Sequence, residues 1–143
     1  MILFCDTSAL VKLYVLEPGS TETKRLVEEA AAVAVSRIAW AEAHAAFARR
    51  ERESRSDQAA IDSARVAFSR DWPALIVTEV SQHVVETAGE YARTFGLRAY
   101  DSIQLASARI TLDLCGQAVT FACFDSRLNR AAAILDMAVP FGR

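Results

Sequence analysis

The sequence is short of lysine, of histidine and of any excess of positive charge. Sixteen basic residues stand against eighteen acidic ones, a formal net charge of −2, and the isoelectric point is about 5.7. That balance excludes a protein that holds nucleic acid by bulk charge alone. A polyanionic ligand would need local arginines or bound cations to hold it. Lys12 and Lys24 are the only lysines, so the basic set is almost entirely arginine, whose planar fork suits phosphate contact. Cysteine is sparse as well. Cys5, Cys115 and Cys123 are odd in number, show no CxxC spacing and sit among apolar residues. They read as buried free thiols of a reducing compartment, against a disulfide framework or a zinc site. No basic, apolar, small-residue leader precedes the first apolar run, and no run is long enough to span a bilayer. A cytoplasmic protein without membrane contact is the expectation.

What is present is a chain of 143 residues, 52% hydrophobic and 24% charged, enough for one domain over residues 1–143 with a real core. No linker, repeat or low-complexity segment interrupts it. Short apolar runs alternate with helical patterns. Strands are expected at 2–5 (ILFC), 33–36 (VAVS), 74–78 (ALIVT) and 118–123 (AVTFAC), with AVPF at 138–141 as a short edge strand. Helices are expected at about 8–16, 21–31, from 38 to the charged 49–57, 57–71, 81–95, 99–114 and 125–135. Apolar strands alternating with helices argue an α/β protein whose parallel sheet is covered on both faces. Ligands of such sheets bind beyond the carboxyl ends of the strands, where the strand order reverses. Acids near those ends therefore carry the functional signal.

Four qualify. Asp6 follows the first strand in MILFCDTSAL and Asp125 follows the fourth in FACFDSRLN. Each could do no more than cap the helix after it. Glu42 shares a helical face with Ile38, Ala41, Ala45 and Ala46, and a glutamate in an apolar stripe is costly unless it reaches water or a partner. Asp101 lies on one face with Leu105, Ala108 and Leu112, although an acid in a first helical turn is also favoured by the helix dipole. If these four converge, they repel one another and stay ionised together only with cations between them. Oxygen ligands without a histidine or cysteine cluster select Mg²⁺ or Mn²⁺, and that chemistry suits phosphodiester hydrolysis.

The segments DTSALVKLY at 6–14, AWAE at 39–42, LRAYDSIQLASA at 97–108 and FDSRLNRAA at 124–132 together closely resemble the PIN domain. They are most similar to the VapC-type ribonuclease toxins of bacterial toxin–antitoxin pairs. The resemblance covers nearly the whole chain, in order. It implies a PIN-like α/β/α sandwich with a central parallel sheet of about four to five strands flanked by helices. It also implies a metal-dependent endoribonuclease in which Asp6, Glu42, Asp101 and Asp125 occupy the four acidic positions and hold Mg²⁺ or Mn²⁺. Thr7, Ser8 and Ser126 would support them, RNA would be the substrate, and a homodimer and a cognate antitoxin would be the partners. Two departures fall at the fourth motif. Cys123-Phe124 stands where relatives often carry Thr or Ser before the acid, and Leu128 and Asn129 stand where some have another acid.

The remaining polar residues read as structural. His44 lies off the face of Glu42 and has no second histidine to help it; His83 begins a helix. Arg49, Arg50, Arg52 and Arg55 alternate with Glu51 and Glu53 as a solvated helix end, with RNA or antitoxin contact as the other use. Asp57, Asp62, Asp113 and Asp136 have no strand-end placement, and Trp40 and Trp72 are expected to pack. A haloacid-dehalogenase-type phosphatase would need a second Asp two residues after Asp6, where Ser8 stands, and a late lysine, which is missing. The alternative from another class is a catalytically silent PIN-fold module that binds RNA or an antitoxin.

Overall fold

The computed structural model describes residues 1–142. Four strands form one sheet: β1 (Ile2–Cys5), β2 (Ala32–Ser36), β3 (Ile76–Thr78) and β4 (Val119–Ala122). All pairs are parallel, in the order β3-β2-β1-β4, with Leu3 opposite Val33 on one side and Thr120 on the other. The helices are α1 (Thr7–Leu10), α2 (Ser20–Glu29), α3 (Ala39–Glu53), α4 (Gln58–Asp71), α5 (Gln82–Phe95), α6 (Ala99–Cys115) and α7 (Ser126–Ile134). This is the expected α/β architecture. Helices cover both faces, so β1 is buried at every position. Its alternation sorts the core: Ile2 and Phe4 pack with Leu105, Phe121 and Leu128 from α6, β4 and α7. Leu3 and Cys5 point the other way, to Leu10, Phe47 and Phe68 from α1, α3 and α4.

Three boundaries differ from expectation. The first helix ends at Leu10 and tightens into a 3-10 turn over Val11–Leu13, well short of Pro18-Gly19. The third strand begins at Ile76 because Trp72–Ala74, with Pro73 in its first turn, forms a 3-10 turn. The edge strand at 138–141 reduces to a single parallel bridge between Thr120 and Ala138. Beyond it Pro140 has no N–H to give, and the chain turns so that the Phe141 ring stacks on Phe124, centroids 4.3 Å apart. Trp40 and Trp72 pack as expected, together with Phe68 and His44. All three cysteines are free; Cys5 and Cys123 are buried, while Cys115 is only half-buried at the end of α6. No helix among the described residues is long and apolar enough to cross a membrane.

Candidate functional site

The sheet runs from β1 through β2 to β3 in one direction and returns to place β4 on the other side of β1. The reversal falls between β1 and β4, which is where a crevice opens in such sheets. Asp6 and Asp125 stand just past the carboxyl ends of these two strands. Each begins a helix, Asp6 ahead of α1 and Asp125 ahead of α7.

Asp6 is buried, 7% exposed. Its Oδ2 accepts hydrogen bonds from Ser8 Oγ at 2.8 Å, from Ser8 N at 3.3 Å and from the Cys123 thiol at 3.3 Å. Burial raises its pKa, and the bonds from Ser8 and Cys123 oppose the rise. Ser8 Oγ also accepts from Phe124 N at 3.1 Å, so one hydroxyl ties the loop after β1 to the loop after β4. The Cys123 thiol in turn accepts from Asp125 N at 3.3 Å. Burial and the neighbouring Asp6 push that thiol up, so it is a packed hydrogen-bonding group and no nucleophile. Phe124 is held from outside by Phe141 and by Lys12, whose Nζ lies 4.6 Å from the ring centroid. Its ring also lies so close to Gly19, at φ +95°, that a Cβ there would fall 2.7 Å from it.

Asp125 is exposed, and its Oδ1 accepts from Leu128 N at 3.0 Å as a helix cap. Glu42 enters from the first turn of α3. Its Oε1 accepts from Thr7 Oγ1 at 3.0 Å and from Gln104 Nε2 at 2.7 Å, and Gln104 Nε2 also donates to Thr7 Oγ1 at 3.0 Å. Burial raises the pKa of Glu42; these donors lower it, and Asp6 and Asp101 add to the rise. Asp101, in the first turn of α6, is raised by burial and by the charges of Asp6 and Asp125, with Arg98 and Arg127 pulling the other way. Arg98 Nε lies 3.9 Å from it. All four acids line one open cleft of about 1000 Å³, with Thr7 and Ser8.

Ser126 falls outside this lining, exposed at the first residue of α7. Two contributors lie outside the residues singled out from sequence as site residues. Gln104, 1% exposed, fixes Glu42 against Thr7; a lone amide three residues after Asp101, among small and apolar residues, was its signal. Cys123 was expected to be only a core thiol, yet it touches Asp6.

The chemistry of the donor set fits a hard divalent cation: carboxylate oxygens whose mutual repulsion a cation would relieve. Among the described residues, though, no three Asp, Glu, His or Cys side chains form a closed ligand group. The acids share a cleft without a ready-made nest.

With that geometry in place, comparison with known proteins is informative. The sequence profile of the PIN domain matches residues 3–134. Ribonuclease VapC46 of Mycobacterium tuberculosis (strain ATCC 25618 / H37Rv) is 34% identical over 138 residues, 96% of this chain and 95% of that protein. Ribonuclease VapC45 of M. tuberculosis (strain CDC 1551 / Oshkosh) is 31% identical over 131 residues, 92% and 89% of the two chains. A toxin–antitoxin complex from Klebsiella pneumoniae shares the fold at a TM-score of 0.66 and 22% identity, with both chains fully covered.

Proposed function

The chain belongs to the PIN-domain family, and from that premise we propose that it is a Mg²⁺- or Mn²⁺-dependent endoribonuclease, the toxin of a toxin–antitoxin pair. The observation that carries the reading is the gathering of Asp6, Glu42, Asp101 and Asp125 around one cleft at the switch in strand order. The relatives named as ribonucleases support it. Asp6, Glu42, Asp101 and Asp125 would hold the cation, which when bound would acidify a water and neutralise charge gathering on the scissile phosphate. This chain's own groups prepare the place. Ser8 and Cys123 fix the orientation of Asp6, while Thr7 and Gln104 occupy one oxygen of Glu42 and so orient the carboxylate. Arg98 moderates the charge of Asp101, and the cap bond of Asp125 sets its rotamer.

A small antitoxin and a second copy of the chain are partners in this reading, and the cytoplasm is the compartment. The Klebsiella structure of like fold is itself a toxin–antitoxin complex. Light scattering on the purified chain tests the dimer. The activity is tested with purified protein and a labelled RNA: cleavage stops in EDTA and returns with Mn²⁺. Full cleavage after thorough chelation overturns the metal requirement. Absence of cleavage under every metal tried, with RNA still bound, favours the silent binding module.

A further inference from the structure

The cleft continues past the acids along α3. Its lining there includes Ala41, Ala45 and Ala46, then Arg49 and Arg52, at spacings that keep them near one helical face with Glu42. Five basic side chains line the whole cleft: Lys12, Arg49, Arg50, Arg52 and Arg98. Three have carboxylate partners. Lys12 pairs with Glu17 at 2.9 Å, Arg50 with Glu17 at 3.2 Å and Asp57 at 3.6 Å, and Arg98 approaches Asp101. Arg49 and Arg52 have none among the described residues. Glu53 also borders this end, one turn from Arg49, yet no ion pair joins them. The protein as a whole is acidic, so two unpaired guanidinium groups facing into a cleft whose other end is anionic are a local exception.

We propose that Arg49 and Arg52 form a backbone-binding arm of the cleft, holding phosphates of a single RNA strand on one side of the bond cleaved at the acids. This rests on the nuclease reading above and deepens it. Guanidinium forks match phosphate oxygens in pairs. Between Glu42 and Arg49 the residues of α3 that line the cleft are Ala45, Ala46 and the fully buried Phe47, which leaves room for a sugar-phosphate backbone and places no polar side chain there to read a base edge, so the arm is indifferent to sequence. From Glu42 to Arg49 is seven residues of helix, about 10 Å of axial rise. That offset directs Arg49 and Arg52 to phosphates flanking the scissile one.

The experiment measures binding of a fluorescent single-stranded RNA across a salt series, in an Asp6→Asn background first shown not to cleave. Adding Arg49→Gln and Arg52→Gln removes two phosphate contacts and should lower the slope of log K against log salt by about 1.4. Affinity should drop by about tenfold or more. The control pair Arg25→Gln and Arg93→Gln removes the same charge outside the cleft and should move the slope far less. In the cleaving protein, the arm variants should raise KM more than they lower kcat. That rise should grow as the substrate is lengthened from a dinucleotide to about eight nucleotides. A slope equal to that of the control pair, or a KM effect independent of length, overturns the arm. If the arm variants keep the RNA slope but lose a copurifying antitoxin, the arginines serve a protein contact and the RNA assignment falls. If the parent neither binds nor cleaves RNA, the nuclease reading itself fails, and that outcome is separate from a parent that cleaves with an unaltered slope.

Discussion

The ends of β1 and β4 look alike in sequence and differ in the folded molecule. Each is an apolar strand followed by an aspartate, a hydroxyl residue or two, and a helix. Each aspartate caps that helix through its own carboxylate. At the β1 end, however, Asp6 is buried and bonded to Ser8 and to Cys123 across the sheet. At the β4 end Asp125 is exposed and bonded only to the helix it starts. The same local grammar thus places one acid where its charge is costly and another where it costs little. A cap alone gains nothing from burial; a buried carboxylate held by several donors, with three other acids around the same cleft, reads as a charge kept for use.

The largest expected effect breaks the comparison at its buried end. Asn caps about as well as Asp, so Asp6→Asn should fold, and burying a neutral amide in place of a raised-pKa carboxylate should leave the metal-free protein as stable as the parent, or more so. Cleavage should fall by about a hundredfold or more, because on the proposed reading a cation ligand is gone, and Mn²⁺ should raise the melting temperature of the parent more than that of the variant. Normal cleavage with an equal gain from Mn²⁺ would return Asp6 to the rank of a cap.

Next comes the support of the β1 side. Gln104→Leu removes the amide that holds Glu42 and Thr7. It should weaken the Mn²⁺-induced rise in melting temperature and lower cleavage roughly tenfold to a hundredfold, with Gln104→Asn restoring part of neither if reach is what matters. A Leu variant that responds to Mn²⁺ like the parent would make Gln104 a filler.

Smaller effects are expected at the β4 end. Asp125→Asn keeps the cap and should leave the metal-free melting temperature nearly unmoved while reducing cleavage; Asp125→Ala should cost a further ~1 kcal/mol of stability from the lost cap, read by denaturant titration. Equal stability of the Asn and Ala variants would show that the cap bond to Leu128 contributes nothing. Ser126→Ala should be the mildest, within about 0.5 kcal/mol of the parent in stability and close to it in cleavage, since its side chain lies outside the cleft. A large loss of cleavage there would extend the site beyond the lining described above.

Much was legible before the fold. The alternation of apolar strands with helices, the four acids and their family likeness all lie in local pattern, because periodicity and strand-end position are properties of a few neighbouring residues. Even Glu42 was marked, as a charge in an apolar stripe. The misplaced boundaries have more than one cause, and that of the third strand is local, the turn holding Pro73. AVPF pairs only through Ala138, because Phe141 leaves the sheet to stack on Phe124 and Asn129 Nδ2 donates to the carbonyls of Phe141 and Gly142. That boundary yields to packing between distant segments, which local pattern does not contain.

By itself, then, the sequence determined that an α/β fold forms and which carboxylates stand near its strand ends, since both follow from short-range spacing. Only the tertiary structure decided that the order β3-β2-β1-β4 sets Asp6 beside Asp125, and that Cys123, 117 residues from Asp6, donates to its carboxylate. It also decided that Gln104 reaches 62 residues back to Glu42, and that Arg50 is spent on Glu17 and Asp57 while Arg49 and Arg52 are left facing the cleft. Burial and partner choice depend on which chain segments meet, and those meetings are fixed by closing the sheet and covering both its faces.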